Sequence, residues 1–130
     1  MRSMRSLGIA TMLAGAAVTA PAMASPSDVN AQAFYANAQA VQARGMAAMF
    51  DKRLKPMVKQ IEDAGARARA ANEAATSRGE PLYCVPPAAK KKGLSSKQVI
   101  AMLGRMPEGE RRVNTLQKAW LTVLTREYPC

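Results

Sequence analysis

The chain has no histidine. That removes the commonest general base, the commonest metal ligand and the one side chain that ordinarily titrates near neutral pH. Cysteine is nearly absent too: Cys84 and Cys130 are the only two. They lack the CxxC spacing or third ligand that redox or zinc chemistry uses. No Gly-rich loop of the phosphate-cradling kind is present. Acidic residues are few, 9 against 19 Lys and Arg. The close acidic pairs, Glu62 with Asp63 and Glu108 with Glu110, each lie beside basic residues. Adjacent positions on a helix do not face each other, so solvated helix surface accounts for them. These absences argue against an enzyme and call for no cofactor and no metal. No run alternates apolar and polar residues over strand length, and no internal repeat is visible.

What is present begins with an address. Arg2 and Arg5 precede an uncharged apolar stretch, Leu7 to Ala20. Pro21 and the small residues Ala22 and Ala24 then fit a secretory cleavage site between Ala24 and Ser25. The apolar stretch is shorter than the roughly 20 residues a spanning helix needs. Residues 1–24 are therefore expected to be a cleaved signal peptide and the protein to be periplasmic. Nothing after residue 24 predicts a transmembrane segment. Loss of Arg2 and Arg5 takes the basic count from 19 to 17 against 9 acids, a net charge of +8. In an exported chain two cysteines read as a disulfide, which explains a cysteine at the last position.

Residues 25–130 read as one helical domain: long N-terminal helices over 25–79, a Pro/Lys-rich loop over 80–94 and a helix hairpin over 95–130. Asp28 is a candidate N-cap for a first helix whose apolar positions Ala31, Phe34, Tyr35, Ala38 and Val41 follow helical spacing. After Gly45, an apolar seam from Met46, Met49 and Phe50 through Leu54, Met57 and Ile61 to Ala75 keeps helical phase across Pro56. The preserved phase predicts one kinked helix over 46–78, with Asp51–Lys55, Lys59–Asp63 and Asp63–Arg67 pairs outside and Gly79 as its C-cap. Pro81, Pro86 and Pro87 predict irregular structure over 80–93. Ser95 with Gln98 forms a capping-box signature, and Leu94 with Val99 a hydrophobic staple. Val99, Ile100, Leu103 and Met106 form that helix's apolar face. A last helix, starting near Glu110 or Arg111, is expected to bury Val113, Leu116, Trp120, Val123 and Leu124.

Two basic features stand out. Lys90, Lys91 and Lys92 run together in the loop; Arg111 and Arg112 open the last helix, where cations oppose the helix dipole. With Tyr83 they make a candidate binding surface for an acidic protein or an anionic envelope polymer. A solvated lysine loop is the plainer reading, and Tyr83 suits packing over the disulfide equally. Nucleic acid suits +8 electrostatically but conflicts with export, and no aromatic-studded basic groove is visible.

Tyr83, Cys84 and Pro86, a helix ending at Pro107, and a final helix closing on Tyr128, Pro129 and Cys130 resemble the Rap1a/Tai family of periplasmic immunity proteins. The resemblance covers residues 83–130. Upstream, this chain carries the Ala/Lys/Arg-rich stretch of 46–78 in place of that family's further cysteines. It implies an exported, disulfide-bonded, all-helical protein that blocks a cell-wall amidase effector by stoichiometric occlusion. The alternative is a periplasmic stress chaperone or envelope-associated structural protein. The expected fold is all-α, about four helices with one disulfide.

Overall fold

The computed structural model describes residues 24–130, and these form six α-helices and one 3-10 helix. The expected signal peptide lies outside the described residues, apart from Ala24. The all-α class and the Cys84–Cys130 disulfide are present as the sequence predicts. The helix count and several boundaries differ, each for a physical reason.

α1 (Ala31–Ala43) is capped by Asn30, whose carboxamide oxygen accepts from the amides of Gln32 and Ala33 at 2.9 and 3.0 Å. Asp28 is not the cap. It accepts from the Ser25 amide at 2.8 Å and pairs with Arg67 at 2.8 Å. The lead that contains it is part of the fold, because Leu116 and Gln117 donate to the carbonyls of Val29 and Ser27 at 2.7 and 3.1 Å. Ser27 is fully buried, and both its amide and its hydroxyl donate to Asp63 of the second long helix. A nominally polar tail thus joins two distant stretches of chain by satisfying their polar groups.

The single kinked helix over 46–78 does not form. Gly45, at φ 58°, ends α1, and Gly45–Phe50 is a 3-10 helix. α2 (Leu54–Ser77) begins only after it. Pro56 is the third residue of α2, where a proline removes no intrahelical hydrogen bond, so it breaks nothing and kinks nothing. Asp51 fixes the turn: its carboxylate takes the amide and guanidinium of Arg53 and the guanidinium of Arg44, all within 3.0 Å. Asp51 therefore pairs with arginines, not with Lys55. Asp63 turns to Ser27 rather than Lys59 and keeps Arg67 at 3.9 Å. Gly79, at φ 79°, follows the C-terminus of α2 as expected.

The loop after Gly79 also holds a helix, α3 (Pro87–Lys92). Prolines exclude a helix interior but suit its first position, and Pro86 and Pro87 occupy the cap and N1. α4 (Ser96–Arg105) carries the full capping box between Ser95 and Gln98. The last helix is split into α5 (Glu108–Val113) and α6 (Leu116–Glu127). Between them, the Asn114 carbonyl accepts from the Ala31 amide at 3.0 Å, and Thr115 caps α6. The N-terminal lead claims the backbone groups that a continuous helix would use. Val113 consequently faces solvent.

One core joins these helices. α2 lies along α6, while α1 packs on α4, α5 and α6. Phe34, Ala64, Ala68, Leu103, Leu116 and Trp120 meet there, with Met102 contributing where the sequence favoured Val99 and Ile100. Those two pack from its edge. Met46, Met49 and Phe50 stand outside it, 87%, 76% and 87% exposed.

The ion pairs set the pH response. The Arg53 and Arg44 guanidiniums hold the Asp51 carboxyl well below the ordinary range. Ser27 lowers the carboxyl pKa of Asp63, Arg67 that of Asp28 and Arg126 that of Glu110. A depressed carboxyl pKa stabilises the fold fully above the unfolded value of about 4, and that contribution is lost as pH falls. With no histidine to titrate, the melting temperature should stay level from about pH 5 to 7 and drop below about pH 4. Thermal denaturation across that range checks this, and Asp51→Asn should make the drop shallower.

Candidate functional site

The segment following α2 is held from two sides. Within α2, Asn72 accepts from the amides of Leu82 and Tyr83 at 2.8 and 3.2 Å and donates to the Tyr83 carbonyl at 3.0 Å. One side chain thus gives an irregular segment the pairing that a strand neighbour would supply. On the other side, the Cys84 amide donates to the Tyr128 carbonyl at 2.8 Å, and the disulfide joins Cys84 to Cys130, with Cα atoms 4.9 Å apart. Asn72 was not singled out by sequence reasoning. A mid-helix Asn followed by a helix end and a loop within about ten residues is the signal that points to it.

Tyr83 is 8% exposed and packs in the core. Burial pushes its phenol pKa up. Beyond it, α3 stands away from α2, and a groove of about 870 Å³ opens between them. Its buried lining residues are Tyr83, Trp120 and Leu124, with half-buried Val85, Val99 and Tyr128 beside them. Exposed charged residues edge it: Glu62, Arg69 and Glu73 from α2 and Lys90 from α3. Gly65 of α2 also lines it, with open space where a side chain would start. The exposed disulfide closes one end through Cys84. A smaller depression of about 160 Å³ lies between α4 and α6, beside the Arg105–Glu127 pair.

Lys90, Lys91 and Lys92 form the last turn of α3, where cations complement the helix dipole. No carboxylate among the described residues pairs with them. The structure separates them from Arg111 and Arg112, which lie on α5 against α1 and α6. Arg111 is 7% exposed and is no surface residue. Its guanidinium donates to the carbonyls of Leu103, at 3.1 Å, and Met106 and to the Gln32 carboxamide, and it lies 4.1 Å over the Tyr35 ring. It therefore satisfies the C-terminal carbonyls of α4, and its place on α5 reflects that task and not partner binding. Arg112 is exposed and pairs with Glu108 at 3.0 Å, while Glu110 takes both guanidinium nitrogens of Arg126. Ala24 and Ser25 open the described chain, with the Ser25 amide on Asp28.

Among the described residues no three Cys, Asp or Glu side chains converge as a metal site requires, and no helix is long and apolar enough to cross a membrane. No family model, curated protein or solved structure matches the chain.

Two outcomes test this account. The disulfide spans a sequence separation of 46, for which chain entropy gives about 4 kcal/mol. Cys84→Ser and Cys130→Ser should each lower the melting temperature by on the order of 20 °C, and the double variant no further. Strictly additive losses in calorimetry would mean the two are not partners. Arg111→Met should cost about 3 kcal/mol in urea denaturation, because it strands buried carbonyls, while Arg112→Met leaves the midpoint unchanged.

Proposed function

We propose that this protein is an exported binding protein that acts by stoichiometric occlusion, as the immunity proteins it resembles do. The groove between α2 and α3 takes a segment of an acidic protein partner. What carries this reading is that groove: an apolar floor, a wall pinned by a covalent bond, and Lys90 on the rim with Lys91 and Lys92 next to it in α3, none of the three paired with a carboxylate among the described residues. Apolar concave surface with a few charged edges is what a partner segment needs, and a pinned wall lowers the ordering cost of binding.

Two further observations support it. Cleavage after Ala24 would leave the new α-ammonium of Ser25 against the Asp28 carboxylate, a favourable end for a processed chain. Both cysteines are joined in a disulfide, which suits an oxidising compartment. A noncatalytic role also fits three of the four carboxylates singled out above: Asp63, Glu108 and Glu110 are engaged by Ser27, Arg112 and Arg126, while Glu62 is exposed at the groove's edge.

The experiment is capture of partners from an envelope extract with the oxidised protein, residues 25–130. One partner, a hydrolase, should be retained at one-to-one stoichiometry. Gly65→Leu places a side chain in the groove without a clash and replaces a helical glycine, so it should keep or raise the melting temperature while cutting capture at least about tenfold. Reversing the three lysines of α3 should weaken capture in a salt-dependent way. Recovery of mixed unfolded proteins with no single partner would contradict occlusion and favour a chaperone. Undiminished capture by Gly65→Leu would remove the groove from the account.

A further inference from the structure

A second surface lies at the opposite end of α2 from its contact with Tyr83. The 3-10 helix Gly45–Phe50 presents Met46, Met49 and Phe50 to solvent, each residue more than three quarters exposed. Large apolar side chains seldom stand together in this way without a purpose. The chain around them is basic: Arg44 precedes the turn, and Lys52, Arg53, Lys55 and Lys59 follow it. The one acid, Asp51, is buried, its side chain 5% exposed beneath Arg44 and Arg53, which remain about half exposed. The negative charge is therefore turned inward and the positive charges outward. Lys52, Lys55 and Lys59 have no carboxylate partner among the described residues.

We infer that this turn is a membrane-docking tip, which inserts Met46, Met49 and Phe50 into the interface of an anionic phospholipid bilayer while the surrounding cations contact lipid phosphates. Three considerations select that occupant. A basic tip on a basic protein repels a second copy of itself. Three side chains also fall far short of the roughly 800 Å² per partner of a stable protein interface, whereas shallow insertion combined with charge attraction suffices at a bilayer. A soluble anionic polymer would use the lysines and arginines but offer nothing to the apolar residues.

The geometry suits insertion. The Asp51 clamp fixes the turn through hydrogen bonds from both arginines, so little conformational entropy is lost on docking. Phe50 and the methionines make no core contact, so their replacement leaves the fold intact. This surface is independent of the groove, and neither reading requires the other.

The test is co-sedimentation of oxidised protein, residues 25–130, with vesicles of phosphatidylcholine alone or mixed with phosphatidylglycerol. Binding is expected to the mixed vesicles only and to weaken at high salt. Replacing Met46, Met49 and Phe50 together by serine should weaken it at least about tenfold with no change in melting temperature. Lys52→Glu with Lys55→Glu should do the same, and Gly65→Leu should bind as the parent does. Phe50→Trp should show a blue-shifted emission on mixed vesicles. Absence of sedimentation, equal binding to neutral vesicles, undiminished binding of the serine variant, or an unshifted Phe50→Trp spectrum would each overturn the inference. So would protection of the tip by a protein partner in the absence of lipid.

Discussion

The short stretch Leu82–Cys84 is held between two helices, by Asn72 on one side and by Tyr128 and Cys130 on the other. Remove that double attachment and α3 has nothing to position it, because it packs on no neighbouring helix to any extent. The groove's far wall follows a segment fixed by a covalent bond, one backbone hydrogen bond to Tyr128 and three hydrogen bonds with the Asn72 side chain of α2. A wall held by side-chain packing alone would collapse onto the apolar floor, since burying Val85 and Val99 further is favourable.

A second attachment operates at the other end of the chain. The lead of Ser25–Asn30 runs beside Asn114–Gln117, donating through Ala31 and accepting through Val29 and Ser27. Ser27, Asp28, Asp63 and Arg67 then tie it to α2. Small helical domains have little core to spare, and here polar contacts of large sequence separation join the helices where apolar area is limited. The same economy explains Arg111, a buried cation that completes the end of α4 and stacks on Tyr35. Tyr35 in turn lies so close to Gly104 that a Cβ there would sit 2.8 Å from its hydroxyl.

Features with a local cause were legible in the sequence. The capping box of Ser95 and Gln98, the stop at Gly79 and the core position of Trp120 each follow from a few adjacent residues. The cysteine pair was legible by count. Features with a distant cause were not. Asn30 displaces Asp28 as a cap because the lead is registered against residues 114–117, which no local pattern reveals. The apolar phase across Pro56 misled because periodicity records where apolar residues lie, not what covers them; Met46, Met49 and Phe50 have no partner helix. Pro87 read as a helix breaker when its position made it a helix starter. Arg111 read as surface because charge usually is. Within the candidate site, Lys90–Lys92 and the disulfide were visible, Asn72 left only a local signal, and the groove itself required three dimensions.

The central claim is that the tether between Cys84 and Cys130 holds the groove open and the end of α6 in place. Hydrogen exchange on oxidised and reduced protein tests it most directly. Reduction should accelerate exchange at residues 81–92 and 124–130 well before the amides of α1 and α4 respond. Equal protection of those segments in both redox states would contradict the account.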